Sequence, residues 1–345
     1  MSTETTAGRE AAPGSRGRRV RVTAVVAETA DARSFVVEPV GESAFGYRAG
    51  QFLTVRVPGG GARCYSLSSS PHSDPAMKFT VKRVRGGHGS TWLCDSVAAG
   101  DELDVLPPAG TFSPASLDQS VVLLAGGSGI TPVIAIAKSI LFGGSGEVVL
   151  IYANRDEASV IFAAELAALE RRFPGRFTVL HLLESLQGYP TRHQLTVLLR
   201  PFADRDVYLC GPEPLMELAA DVCARAGIPG SRVHSEKFLS LQQDPFTDEA
   251  AESGSVVCTV RVSLDGDDHI VPWAAGQKLL DALLAAGLDA PYSCREGACS
   301  ACVCSLTEGK VNLARNEILT EDDLAEGYVL ACQAEPVSDE IAIEY

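Results

Sequence analysis

The spacing of apolar residues changes twice along the chain, and the two changes divide it into three parts. From Arg18 to Pro114 apolar positions fall in short runs cut by Gly and Pro: Val20–Val26, Ser34–Glu38, Phe52–Val57, Lys78–Val84 and Glu102–Val105. Short β-rich runs separated by turn residues predict an antiparallel β-barrel. From Ser120 to Phe238 continuous apolar runs alternate with helical patterns. Val121–Ala125 precedes a helix over Thr131–Leu141, Val148–Tyr152 one over about Ser159–Arg172, and Val207–Cys210 one over Pro214–Ala226. Buried strands alternating with amphipathic helices predict a doubly wound parallel sheet. The last part carries strands at Val256–Leu264 and His269–Trp273, a helix over Lys278–Ala286, a Cys-rich loop and a strand at Tyr328–Ala331. That is the pattern of a small α+β module.

The expected bounds are a disordered tail over 1–17, the barrel over 18–115, the doubly wound domain over 116–240, a polar linker over 241–255 and the α+β module over 256–345. The tail lacks the apolar core of a signal peptide, and the linker has no periodicity. At 345 residues the chain is too long for one ordinary core. Its 46% hydrophobic and 21% charged residues describe a soluble globular protein. The longest apolar runs fall far short of a bilayer span, so no membrane association and a cytoplasmic location are expected.

Charge narrows the set of partners. Residues 1–240 carry 24 basic and 24 acidic side chains, whereas 256–345 carry 5 basic and 16 acidic, so the net charge of −15 resides in the last third. Nucleic-acid binding needs a basic footprint and is not expected. The acidic surface reads equally as a solvated face or a docking face.

Ten cysteines in a cytoplasmic chain do not form a disulfide framework. Cys64, Cys94, Cys210, Cys223, Cys258 and Cys304 are scattered or lie in apolar runs, where cysteine is ordinarily a small buried hydrophobe. The other four are Cys294-Arg-Glu-Gly-Ala-Cys299-Ser-Ala-Cys302 and a distant Cys332. C-x4-C-x2-C with a remote fourth cysteine is the spacing of a plant-type [2Fe–2S] cluster. Two irons bridged by sulfide need four soft thiolates, and the small residues beside them let backbone N–H groups reach the sulfurs. Structural zinc would use a second C-x2-C pair, and a Rieske centre would need two histidines. Neither is present here.

Two further motifs are weaker alone. Arg63-Cys-Tyr65-Ser66 has the form R-x-Y-S, and Val121-Val-Leu-Leu-Ala-Gly126-Gly127-Ser-Gly129-Ile-Thr131-Pro132 is a strand, a Gly-rich turn and a helix start. The second is not a G-x-G-x-x-G fingerprint, and Gly-rich βα turns without a ligand are common. Its glycines still permit a sharp turn and close backbone approach, and a helix N-terminus attracts phosphate. Cys210-Gly211-Pro212 ends another buried strand and opens another helix. Both loops thus leave carboxyl ends of strands, where open α/β sheets bind cofactors.

The order barrel, nucleotide domain, plant-type ferredoxin resembles the reductase components of bacterial multicomponent oxygenases, within the ferredoxin-NAD(P)H reductase family. Arg63–Pro71, Tyr152–Phe162, Leu180–Gly188, Asp289–Gly297 and Leu330–Gln333 carry the resemblance and are most similar to the 3-ketosteroid 9α-hydroxylase reductases. Reductases of phenylacetyl-CoA epoxidation share the cofactor motifs but match Leu180–Gly188 less well. The resemblance implies a barrel that binds FAD, a domain that binds NADH or NADPH, and a β-grasp ferredoxin holding the cluster on Cys294, Cys299, Cys302 and Cys332. It implies that Arg63 pairs with a flavin phosphate, that Tyr65 offers a face to the ring and that Ser66 lies near the position where hydride arrives. Val81 and Lys82 would contact the flavin through backbone, and Gly89, Ser90 and Thr91 would hold the pyrophosphate. Gly126, Gly127, Gly129, Thr131 and Pro132 would face Cys210, Gly211 and Pro212 across the nicotinamide, with Glu236 to Phe238 closing the far side of the flavin.

Asn154, Arg155 and Asp156 would stand by the adenine ribose. An acidic residue there favours a free 2′-hydroxyl, whereas Arg155 could accept a phosphate, so the choice of NADH or NADPH stays open with NADH preferred. The implied activity is a relay from NAD(P)H through FAD and the cluster to a terminal oxygenase of Rieske type, performed by a monomer. A general flavin or ferredoxin reductase, and an electron carrier without flavin, are the alternatives.

Overall fold

The computed structural model describes residues 17–41, 45–59, 61–238, 241, 244–246 and 254–345. The expected tail, apart from Gly17, and most of the expected linker lie outside them.

Six strands form the first sheet: β1 (Arg18–Thr29), β2 (Ala32–Pro39), β3 (Phe52–Arg56), β4 (Ala62–Ser66), β5 (Met77–Lys82) and β6 (Glu102–Ala109), in the order β4-β3-β6-β1-β2-β5. An antiparallel bridge between Leu67 and Phe79 joins the two outer strands, and the Ser68 N–H donates to the Lys78 carbonyl at 2.7 Å. The sheet therefore curls round on itself. Alternation drives this: Val20 and Val22 are buried while Arg19 and Arg21 point outward to Glu102 at 3.0 and 2.8 Å. Helix α1 (His88–Ser96) follows β5.

The second sheet contains β7 (Val121–Gly126), β8 (Val148–Asn154), β9 (Phe177–Leu183), β10 (Asp206–Cys210) and β11 (Val233–Glu236). Their order is β11-β10-β7-β8-β9, and every neighbouring pair is parallel. All six residues of β7 are buried, as a strand covered on both faces requires. Helices α2 (Ile130–Gly143), α3 (Ala163–Arg172), α4 (Glu184–Gln187), α5 (Arg192–Leu199) and α6 (Glu213–Arg225) complete the layers. The chain leaves β7 toward β8 on one side and reaches β10 on the other. Their carboxyl ends form the switch point at which such sheets open a crevice.

Barrel and parallel sheet belong to one compact unit spanning residues 19–103 and 108–241. Lys138 of α2 is almost wholly buried, yet its ammonium meets Asp74 of the barrel at 3.0 Å and Glu165 of α3 at 2.8 Å. Lys78 of β5 reaches the same Glu165 at 3.3 Å. Buried charge is tolerated when paired in this way, and the four residues tie the barrel to the nucleotide domain.

One expected boundary shifts. The helix read from Ser159 begins at Ala163, because Asp156 and Ser159 cap a single 3-10 turn at Glu157–Ser159 and Phe162 then turns through the left-handed region at φ 62°. The hydrophobic pattern does not single out β9, α5 or β11, each short or partly exposed.

The C-terminal module is a mixed five-stranded sheet ordered β13-β12-β18-β14-β16. It uses β12 (Val256–Leu264), β13 (Asp267–Ala274), β14 (Val303–Glu308), β16 (Tyr328–Leu330) and β18 (Glu340–Glu344), with α7 (Leu279–Ala285) packed across it. A two-residue turn, Asp265-Gly266 at φ 54° and 88°, joins β12 to antiparallel β13, as a tight hairpin demands. Strand β18 runs parallel to β12. Trp273 of β13 and Leu279 and Leu283 of α7 are completely buried. This is the expected β-grasp arrangement. A small pair, β15 (Val311–Leu313) and β17 (Ala334–Pro336), and a short acidic helix, α8 (Glu321–Ala325), decorate it. Among the described residues no helix is long and apolar enough to cross a membrane.

Candidate cofactor sites

The loop between α7 and β14 carries three of the four clustered cysteines, and Cys332 lies between β16 and β17. Exposures of Cys294, Cys299, Cys302 and Cys332 are 1%, 9%, 2% and 4%, so all four are enclosed. Backbone amides point at their sulfurs. Cys294 Sγ accepts from Glu296 and Ala298 at 3.3 and 3.4 Å, Cys299 Sγ from the Cys294 amide at 3.3 Å, and Cys302 Sγ from that of Cys332 at 3.5 Å. To achieve this the loop passes through the left-handed region at Arg295, Gly297 and Ser300, with φ of 58°, 72° and 55°. At Gly297 a Cβ would lie 2.7 Å from the Arg315 carbonyl oxygen and 2.8 Å from Gln333 Cγ, so only glycine fits. Gln333 Nε2 in turn donates to the carbonyls of Arg295 and Cys332, both at 2.8 Å.

Thiol contacts from Cys299 and Cys332, together with the amides of Ala298 and Glu296, hold the Cys294 thiol well below the usual thiol range. Cys332 is pushed up by its contacts with Cys294 and Cys302. Among the described residues no three His, Cys, Asp or Glu side chains converge on a single ion. A two-iron cluster instead spreads its four thiolates around a perimeter. Soft donors, a dry shell and amides aimed at sulfur all fit that group. Cys304 sits on β14 with 2% exposure, and burial drives its thiol far above the usual range, as befits a packed residue.

In the larger unit a cavity of about 400 Å³ opens between β4, β5 and the start of α1. Arg63, Tyr65, Ser66, Lys82, Gly89, Ser90, Thr131 and Phe238 all line it. Tyr65 stacks on Phe79 with centroids 5.9 Å apart, and Arg63 is steadied by the carbonyls of Ala62 at 2.7 Å and Leu241 at 3.2 Å. Helix α1 starts at Gly87 without a side-chain cap, so its first amides are available to an anion. A Cβ at Gly89 would press within 3.1 Å of Arg63 Cγ and Val57 Cγ2, so glycine lets the helix start close onto β4. Arginine, an aromatic face, small hydroxyls and an uncapped helix start suit a flavin with its phosphates. Cys64, read as a buried hydrophobe, is only half-buried and lines this cavity. Val81 and Thr91 do not line it. Val81 packs inside the barrel, and the Thr91 amide donates to the Gly87 carbonyl at 3.2 Å.

A second cavity of about 250 Å³ adjoins the carboxyl ends of β7, β8 and β9. Gly126, Gly127, Arg155 and Pro212 line it together with Asn154, Glu184 and Tyr189. Lys82 lines both cavities. Asp31 holds Lys82 at 3.9 Å and Arg155 at 3.5 Å. The two glycine-bearing loops meet backbone to backbone: a Cβ on Gly129 would lie 2.0 Å from the Cys210 carbonyl oxygen, and one on Gly211 2.9 Å from the Gly126 nitrogen. Helices α2 and α6 also begin without side-chain caps. Glycine backbone, uncapped helix starts and two cations suit a dinucleotide. Gly129, Cys210, Gly211 and Pro132 support this cavity without lining it. Glu236 ends β11 in register with Cys210, and burial pushes its carboxyl up to about 8.

Known families match in the same order. Residues 19–113 match the oxidoreductase FAD-binding domain, 123–221 the oxidoreductase NAD-binding domain and 262–337 the 2Fe-2S iron-sulfur cluster binding domain. A curated relative from Rhodococcus rhodochrous, the ferredoxin reductase component of 3-ketosteroid-9-alpha-monooxygenase, is 50% identical over 96% of this chain and 98% of its own. The component of the same name from Mycobacterium tuberculosis strain H37Rv is 49% identical over 94% and 95%. The chain belongs to this family of ferredoxin reductase components.

It is therefore an oxidoreductase with FAD-, NAD- and 2Fe–2S-binding domains. More distant members include one component of the 1,2-phenylacetyl-CoA epoxidase of Escherichia coli, 32% identical over 94% of this chain and 96% of its own. The solved structure of phthalate dioxygenase reductase has a TM-score of 0.58 at 26% identity, covering 95% of this chain and 97% of that one. Sequence reasoning missed Glu184 and Tyr189, which reach the nucleotide cavity from the end of β9. It also missed the shared position of the Lys82 side chain. The pairing of β9 with β8 brings Glu184 beside Asn154, Lys82 comes from β5 of the barrel, and no local motif marks these residues.

Proposed function

We propose that this chain oxidises NADH or NADPH and passes the electrons singly to a Rieske-type oxygenase component that hydroxylates a 3-ketosteroid. When bound, FAD supplies the conversion of a hydride into single electrons and the [2Fe–2S] cluster supplies a one-electron carrier. Arg63 and the first turn of α1 hold the flavin phosphates, Tyr65 and Phe238 flank the ring, and Ser66 and Glu236 stand near the reacting edge. Gly126, Gly127 and Pro212 leave room for the nicotinamide half of the dinucleotide, with Lys82 between the two ligands. Cys294, Cys299, Cys302 and Cys332 hold the cluster.

The domains run over 18–115, 116–240 and 256–345, in a cytoplasmic monomer. The reading is supported by two cavities that share a wall at Lys82, one lined by Arg63, Tyr65 and Ser66 and the other by Gly126, Gly127 and Pro212, in the chain that also bears the four-thiol loop. The relatives named for a steroid monooxygenase support the choice of partner. The test combines cofactor-loaded protein, NADH, a purified Rieske oxygenase and a 3-ketosteroid, with hydroxylated product measured. Product that requires all four components is expected. Rapid reduction of dyes without hydroxylation by any such oxygenase would point to a general reductase instead.

A further inference from the structure

The wall of the flavin cavity continues into a chain of buried hydroxyls that the proposed function leaves unused. Thr80 of β5 lines that cavity. It lies opposite Ser34 of β2 in the sheet register, and the two hydroxyl oxygens are 2.8 Å apart. The Thr80 hydroxyl also meets that of Ser68 at 2.7 Å. Ser34, Ser68 and Thr80 are at most 4% exposed. Ser34 Oγ then donates to Glu28 Oε1 of β1 at 2.6 Å, and Glu28 is only half-buried. Polar groups are costly to bury, and here a row of them leads from a cavity wall to a carboxylate that reaches water.

The carboxylate sets the direction of this chain. An ionised carboxylate only accepts, whereas a hydroxyl donates once and accepts twice. Ser34 gives its single proton to Glu28, so the bond between Ser34 and Thr80 runs from Thr80. Thr80 has then given its own proton and accepts from Ser68. The other acceptor open to Ser68, the Lys78 carbonyl, is farther away at 3.2 Å. One acceptor position on the Thr80 oxygen is left for a proton from the cavity. Every bond from Thr80 onward points toward Glu28.

The proposed chemistry needs such an exit. Each NADH or NADPH oxidised delivers a hydride, which is two electrons and one proton. The electrons leave singly, so one proton per nucleotide stays behind in the flavin cavity and has to reach water. We propose that Thr80, Ser34 and Glu28 are the exit for that proton. Thr80 Oγ1 takes the proton while its own passes to Ser34 Oγ, whose proton passes in turn to the Glu28 carboxylate. Glu28 loses it to water and the hydroxyls turn back, so no residue is altered over the cycle. The inference rests on the proposed reading of this cavity as the flavin site.

The test uses the full chain loaded with FAD and cluster, reduced anaerobically with NADH, freed of excess nucleotide and mixed with ferricyanide, a one-electron oxidant. Stopped flow follows the flavin band while a pH-indicator dye follows proton release, in light and in heavy water. In wild type one proton per flavin should appear in step with the returning band, and more slowly in heavy water. At matched flavin content, Ser34→Ala, Thr80→Val and Glu28→Gln should each delay the proton about tenfold or more. Thr80→Ser, which keeps the hydroxyl, should match wild type. Infrared difference spectra should show a protonated carboxyl forming transiently in wild type and absent from Glu28→Gln and Ser34→Ala. Glu28→Gln preserves side-chain shape at a half-buried position, so it tests the exit even where a core variant fails to fold. Proton release at the wild-type rate from Glu28→Gln or Thr80→Val would overturn the inference. Arg63→Ala checks the cavity separately: undiminished flavin affinity would remove the flavin-site reading and this exit with it. Weakened flavin affinity there, alongside wild-type proton release in the hydroxyl variants, would defeat the exit alone.

Discussion

The cysteine loop of the C-terminal module and the helix starts of the larger unit solve one electrostatic problem in two ways. Both present backbone N–H groups, aimed at sulfur in the cysteine loop and, in the proposed reading, at phosphate at the helix starts. Around the barrel, regular structure supplies the donors, because α1 begins without a side-chain cap and a helix start has spare amides. Helix α5, away from the cavities, is closed by the Thr191 and Gln194 capping box. In the cysteine loop no helix is available. The amides are aimed by twisting Arg295, Gly297 and Ser300 through the left-handed region, which costs roughly 1 kcal/mol or more at each non-glycine residue. The flavin and nucleotide sites are thus preformed by the fold. The cluster site is held in a strained loop that its ligand must help to stabilise.

The sharpest way to break that comparison is to remove ligands. Cys299→Ser with Cys332→Ser should abolish the cluster, leaving near-zero iron and sulfide, while flavin binding in the other unit stays intact by absorbance. Loss of flavin as well would show that the two regions are not independent. Next in size is Gly297→Ala, which adds a Cβ 2.7 Å from the Arg315 carbonyl at φ 72°. Cluster content should fall by more than half, and the module should lose about 1–3 kcal/mol by chemical denaturation.

Arg63→Ala tests the other region. Flavin affinity should weaken about tenfold to a hundredfold, given that hydrogen bonds to charged groups contribute about 1.5–3 kcal/mol, with iron content unchanged.

A smaller effect is expected at Glu236, whose carboxyl burial raises to about 8. Between the unfolded carboxyl range and about 8 the folded state holds the extra proton, so this group's contribution to stability is present at low pH and lost as pH rises through that window. Glu236→Gln should therefore match wild type in melting temperature near pH 5 and exceed it near pH 9. A constant difference across that range would contradict the burial argument. Smallest of all is Cys304→Ala, which should leave iron, sulfide and the paramagnetic signal unchanged, at a cost of about 1 kcal/mol in core packing.

Much of this was legible in the residues. The C-x4-C-x2-C spacing located the cluster loop because four thiolates at fixed separations leave few alternatives. The all-apolar run Val121–Ala125 announced a doubly covered strand. Less legible were elements whose identity depends on tertiary partners. β9 mixes Thr178 and His181 among apolar residues and is a strand because β8 lies beside it. The nucleotide cavity shows the same limit. Asp156 follows β8 directly, yet local capping claims its carboxylate, and Glu184 reaches the cavity from the end of a different strand, β9. Sequence spacing sees the first relation but not the second.

Anaerobic titration of the cofactor-loaded protein with NADH, followed by visible absorbance and electron paramagnetic resonance on the same sample, tracks electrons from the nucleotide through the flavin to the cluster. The flavin band should bleach as a reduced two-iron signal appears, and the Cys299→Ser, Cys332→Ser protein should keep the bleaching and lose the signal. Bleaching without that signal in iron-replete wild type, or a signal that survives in the double variant, would contradict that route.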